Sequence, residues 1–181
     1  MEPTMPPPPP PTGGGAPPPG YQAYNQYGAA PQYAGFGSRL GAYFIDGLIG
    51  GLFSLPAIIA IFAGPKHIDE CTIDGRDRLC EVPDNSTIAI AVVLGVAAFV
   101  AYLVIYTRMV GKGQSWGQKA VGIRVVDADT GQPIGTGRAV GRYFGRLISG
   151  AICYLGFLWM LWDSRKQTWH DKMVNSIVVR S

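Results

Sequence analysis

The chain has 181 residues, 48% hydrophobic and only 15% charged, with a formal net charge of +3. A soluble domain carries about 25% charged residues, so this composition argues against an ordinary water-soluble enzyme. Three cysteines argue against a disulfide-framed miniprotein, and the small net charge gives no case for a nucleic-acid partner.

Residues 1–37 hold eleven of the fifteen prolines and a single charged side chain, Glu2. Proline removes backbone donors and fixes φ, so Pro6–Pro11 and Pro17–Pro19 favour extended polyproline II, and Gly13–Gly15 loosen the chain between them. Tyr21, Tyr24, Tyr27 and Tyr33 punctuate the segment. It reads as a disordered tail, with a ligand for a Pro-binding or Tyr-reading partner as the alternative. A secretory signal is not expected, because no basic and then apolar run precedes Arg39.

Residues 38–181 read as an α-helical membrane domain. Between Arg39 and Lys66 the only acidic or basic residue is Asp46, and between Asp84 and Arg108 there are 23 uncharged residues. A bilayer core needs roughly 20 helical residues, so two full transmembrane helices are expected at about 40–63 and 88–107. A third apolar segment, about 140–162, has its uncharged core at Leu147–Trp162 and is short for a crossing unless Arg142 and Arg146 snorkel.

The loops set the expected orientation. Residues 64–87 carry three cations against six carboxylates, and residues 107–141 carry five cations against two. The positive-inside rule places the second loop and the N-terminus in the cytoplasm of a multi-pass plasma-membrane protein. Cys71 and Cys80 then lie outside, where either a disulfide or two free thiols is expected; Cys153 reads as a small packing residue. A full third crossing would put residues 163–181 outside, yet they hold four cations and two aspartates. Gly122–Asp127 and Ser176–Arg180 also read as short β-branched strands, natural partners if they share a side. The expectation is therefore a re-entrant or interfacial helical pair broken near Gly150 or Gly156, plus a small cytoplasmic strand pair. Three complete spans is the alternative.

Asp46 lies inside the first span, where a carboxylate is costly unless it meets protein, water, a cation or a proton. Arg39 stands seven residues earlier on the same helix face, and Arg142 and Arg146 share a face of a second helix. With Asp163, His170 and Asp171 they form a candidate intramembrane polar site, read either as an ion, proton or headgroup site or as a structural ion-pair network. His170 beside Asp171 could relay protons near neutral pH or simply hydrogen-bond. Two isolated histidines and the lack of CxxC give no metal site, and no cofactor or catalytic constellation is expected. Gly111–Gly117 lacks P-loop spacing and reads as a juxtamembrane turn. Gly47/Gly51 and Gly141/Gly145 have GxxxG spacing, a weak signal for close helix approach.

Three stretches, taken in order, resemble the RDD family of bacterial membrane proteins: Arg39–Asp46, Ser115–Asp127 and His170–Val179. The resemblance covers about residues 36–181, and the proline-rich tail is similar to those of actinobacterial members. It implies that Arg39 is the family arginine and that Asp163 and Asp171 are its two aspartates. The usual Gly-Lys pair stands here as Gly117-Gln118-Lys119. The resemblance implies transport as the activity to weigh. Two functions are expected to compete: a small transport or ion-exchange component acting as a homo-oligomer in the lipid bilayer, and an accessory subunit of a larger membrane complex that recruits partners through its tail.

Overall fold

The computed structural model describes residues 31–151 and 155–181. The polyproline reading of the tail up to residue 30 and the packing role of Cys153 fall outside the described residues.

Helix α1 (Phe36–Phe53) buries Arg39, Ala42 and Asp46 along one face. Phe36, Leu40, Phe44, Leu48 and Leu52, spaced by four, form an exposed apolar stripe on another. A row of bare aromatic and aliphatic side chains suits hydrocarbon, not water. The expected single span over 40–63 is instead a bent pair: the chain turns by 43° before α2 (Leu55–Ala63). Pro56 sits in the first turn of α2, where it removes a backbone donor and crowds the preceding turn, so the helix restarts at Ser54.

The acidic loop forms a hairpin that loop charge alone does not reveal. Strands β1 (Lys66–Ile73) and β2 (Arg76–Pro83) pair antiparallel from Lys66↔Pro83 to Ile73↔Arg76. The turn is Asp74-Gly75, both at positive φ (53° and 72°), the conformation that two-residue hairpins favour. Cys71 and Cys80 are joined by a disulfide across this hairpin, with Cα atoms 6.0 Å apart.

Helix α3 (Asn85–Gly111) has 27 residues, about 40 Å of helix. Among the described residues it alone is a single helix long and apolar enough to cross a bilayer; counting each bent pair as one crossing raises the number to three. The second such pair joins α5 (Gly135–Ala151) and the turn-rich segment of α6 (Leu155–Leu158) with the 3₁₀ turn Trp159–Leu161, and its axes diverge by 112°.

The segments before and after this second pair build a small cap. Helix α4 (Trp116–Ala120) leads into β3 (Ile123–Asp127), and α7 (Trp169–Met173) leads into β4 (Ser176–Arg180). The two strands pair antiparallel, as their β-branched runs predict. Tyr33 bridges Val179, with Ala34 N donating to Val178 O (2.9 Å) and Arg180 N to Gln32 O (2.9 Å), so residues 32–34 lie on the free edge of β4. Packing therefore begins ahead of residue 38. The core beneath the cap joins Ala34, Ala42, Tyr106, Val110, Val125 and Val178, which ties the sheet to α1 and α3.

The cap is built from one pattern used twice. Ser115-Trp-Gly-Gln118 and Thr168-Trp-His-Asp171 each form a capping box that starts a five-residue helix. Each helix ends on a left-handed residue, Gly122 (φ 65°) or Asn175 (φ 48°), that turns the chain into its strand. The pseudo-repeat is offset by 53 residues, and Val125 pairs in register with its own counterpart, Val178. The two copies are thus related by an approximate two-fold axis through that pair.

Candidate functional site

The candidate polar residues separate into clusters that the two cap helices organise. The first is centred on Asp171, which is completely buried (0% exposed). Arg39 donates from Nη1 to its Oδ2 at 2.5 Å, and Arg142 donates from Nε and Nη2 to its Oδ1 at 2.9 and 2.6 Å. The Thr168 amide completes the shell at 3.1 Å. Burial alone would raise the Asp171 pKa, but the Arg142 and Arg39 guanidinium groups outweigh it and hold the carboxyl well below its usual range. Arg39 is also anchored by backbone: Nη2 donates to Lys166 O at 2.6 Å and Nε to Ala34 O at 3.3 Å. One side chain of α1 therefore clamps the edge segment, the 163–168 loop and α7 together.

His170 packs beside this clamp, buried against α5. The Ser149 hydroxyl donates to Gly145 O at 2.9 Å, so it accepts from Nδ1–H of His170 at 3.2 Å, which leaves Nε2 to accept from the Tyr43 hydroxyl at 3.3 Å. Burial, reinforced by Arg142, Arg146 and Arg39 against the pull of Asp171, lowers the His170 pKa to about 3. The imidazole is neutral near pH 7, which disfavours a proton relay at this position. Gly145 makes the approach possible: a Cβ there would stand 3.1 Å from the His170 Cβ. The Gly141/Gly145 spacing therefore receives α7, while nothing lies within 4 Å of a Cβ built on Gly47 or Gly51.

Asp46 is held elsewhere. Ser115 Oγ donates to its Oδ2 at 2.6 Å and Gly117 N to its Oδ1 at 2.7 Å. The convergence of Arg39 and Asp46 on one site does not occur, although both are buried on α1. Seven residues separate them by about 10 Å along the axis, so Arg39 meets the second cap helix and Asp46 the first. Gly117 is required for this docking, because a Cβ would come within 2.1 Å of Ala42 O.

Arg146 occupies an aromatic cage: its guanidinium lies 4.6 Å from the Tyr43 ring centroid and 5.2 Å from that of Tyr106, whose hydroxyl accepts its hydrogen bond. Its Nε, like Nη1 of Arg142, is buried without a hydrogen-bond partner.

Asp163 lies outside the intramembrane cluster expected for it. It pairs with Lys172 and accepts from the amides of Arg165 (3.0 Å) and Gln167 (3.1 Å), shaping the loop before α7. Burial pulls its pKa upward, but the Lys172 hydrogen bond and those amides pull it below the usual value. Elsewhere in the cap, Asp127 pairs with Arg138 and accepts from the amides of Asp129 (2.9 Å) and Thr130 (2.8 Å). These bonds overcome partial burial and lower its pKa to about 2.

Ser115, Gly117, Tyr43, Tyr106, Ser149 and Thr168 complete these clusters without having been singled out by residue chemistry. The S/T-x-x-Q/D spacing was the readable signal for Ser115 and Thr168.

The sequence profile of the RDD family matches residues 33–175, which span the edge segment, the clamp and both cap helices. The chain belongs to the RDD family. The uncharacterized protein YxaI of Bacillus subtilis is 30% identical over 158 residues, covering 81% of this chain and 96% of that protein. The Proline-rich antigen homolog of Mycobacterium tuberculosis is 42% identical over 67 residues, 37% of this chain. The Proline-rich antigen of Mycobacterium leprae is 39% identical over 70 residues, 39% of this chain. Each mycobacterial match spans 28% of the relative's length. No solved structure matches the chain. This RDD member carries the actinobacterial type of proline-rich N-terminal segment.

Proposed function

We propose that this RDD protein is a non-catalytic accessory subunit of a larger plasma-membrane complex, with a cytoplasmic N-terminus and a Pro-rich segment that recruits partners. The observation that carries this reading is the pinning of residues 32–34 along β4. Anchoring at residues 32–34 fixes the point at which a recruiting segment joins the cap. In this reading α3 and the bent α1–α2 pair cross the membrane, and the α5–α6 pair re-enters. Pairing of β3 with β4, which flank that pair in sequence, supports re-entry because both ends of the excursion then share one side.

Transport as a homo-oligomer is the competing activity, and ion exchange at Asp46 or Asp171 would need a carboxylate able to give up its partners. Asp171 is held by two arginines and Asp46 by Ser115 and Gly117, which favours the accessory role. The full chain purified in mild detergent is expected to bring down a hetero-complex of fixed stoichiometry, and deletion of residues 1–30 is expected to release the partner from a still-folded membrane domain. A pure homo-oligomer whose ion flux in vesicles disappears in Asp46→Asn would reverse the assignment.

The orientation has its own readout. In intact cells a membrane-impermeant maleimide is expected to label Cys71 and Cys80 only after reduction, and only from outside. Labelling restricted to inverted vesicles would turn the topology over.

A further inference from the structure

Beside the Asp171 clamp lies a cavity of about 400 Å³, within the size range of ligand pockets. Phe36, Leu40, Leu158 and Met160 form apolar walls, and Arg39 and Arg146 supply the charged lining. Phe36 and Leu40 also begin the exposed stripe that continues through Phe44 and Leu48, so the cavity adjoins the lipid-facing side of α1.

The charge around it is unbalanced. Arg39, Arg142 and Arg146 face a single carboxylate, Asp171, which pairs with the first two. His170 adds no negative charge, and Asp46, the next carboxylate, is hydrogen-bonded by the neutral donors of Ser115 and Gly117 and keeps its charge, which favours the Arg146 cation. Three guanidinium groups against two carboxylates leave one positive charge over in a setting poor in water, where an unneutralised cation is costly. The donors of Arg39 are spent on Asp171, Lys166 O and Ala34 O. Arg146 is different: among the described residues its one hydrogen-bond acceptor is the Tyr106 hydroxyl.

We propose that the cavity binds an anionic phospholipid from the surrounding leaflet, its phosphate against Arg146 and an acyl chain over Phe36 and Leu40. The surplus positive charge selects a net-negative headgroup over a zwitterionic one, and the apolar walls select a lipid over a soluble anion. The site depends on membrane insertion of α1 and not on the accessory role, so failure of partner capture would leave it standing.

Native mass spectrometry of the full chain in mild detergent, titrated with phosphatidylglycerol or phosphatidylcholine, tests the site. One phosphatidylglycerol per chain is expected, bound at least about tenfold more tightly than phosphatidylcholine, whose choline cation meets the surplus positive charge. Arg146→Gln should abolish that preference. Leu40→Trp, which keeps every charge but fills the cavity from an exposed position, should weaken binding even if Arg146→Gln fails to fold. Equal binding of the two lipids, or undiminished phosphatidylglycerol binding in Leu40→Trp, would overturn the proposal. Displacement of phosphatidylglycerol by equimolar oleate or by inorganic phosphate would likewise overturn it, in favour of a fatty acid or of a soluble anion respectively.

Discussion

Asp171→Asn will detach the C-terminal part of the cap from the membrane helices. The asparagine keeps the shape of the side chain but leaves Arg39 and Arg142, only 3% and 1% exposed, facing a neutral amide. Breaking a buried ion pair from one side costs about 3–5 kcal/mol, because the stranded charge has lost both its partner and its water. Total stability is about 5–15 kcal/mol, so the loss should be visible as a thermal midpoint lowered by roughly 10 °C in detergent. Proteolysis should also appear in the 163–168 loop, whose Lys166 carbonyl Arg39 otherwise holds. Arg39→Gln should be destabilising too, and the double variant should cost less than the two singles together, since they remove one shared interaction. Asp129→Asn, at an exposed position, is the control. A midpoint for Asp171→Asn equal to that control would mean that Asp171 is not the keystone of the fold.

The contrast between Arg39 and Asp46 explains how far this site can be read from sequence. Helical periodicity correctly puts both on one buried face of α1. It says nothing of which element covers each, and their partners come from segments about 70 and 130 residues later. Local chemistry was more legible: β-branched runs mark β3 and β4, and the uncharged stretch after Asp84 marks α3. Where a local cue competed with a stronger regional pattern, the regional pattern hid it. Pro56 marks the break after α1, but it lies within an apolar run long enough for one span. Asp74-Gly75 marks a hairpin, yet its strands carry mixed charges and bury no apolar face, so they give none of the alternation by which strands are recognised. The repeated cap shows only in part: Trp, Lys and three valines recur at equal spacing, while Gly117 and His170 occupy the same position with opposite bulk. The packing explains that exchange. In the first copy the glycine belongs to the cap helix and meets the α1 backbone; in the second, the bulk is on the cap helix and Gly145 of α5 makes room.

That same exchange gives the fold an acid sensitivity centred on His170. Its pKa falls from 6.5 to about 3 on folding, chiefly through burial. The folded state therefore prefers the neutral ring, and the unfolded chain binds a proton that the folded chain refuses. The stability contribution is complete above pH 6.5 and is lost as pH falls from 6.5 toward 3, at about 1.4 kcal/mol per pH unit where the unfolded histidine is protonated. The depressed carboxylates act in the same direction but later: Asp127, Asp163 and Asp171 begin to matter below their ordinary value of 3.8. Between pH 6 and pH 4 the slope should thus belong mainly to His170. Gln is the informative replacement, because its amide can donate to Ser149 and accept from Tyr43 without titrating. Denaturation midpoints of the full chain in detergent, measured across that interval, should fall steadily for the natural sequence and stay nearly level for His170→Gln. Parallel slopes in the two proteins would show that the imidazole titrates freely in the folded state, which the close packing of α7 against Gly145 does not allow.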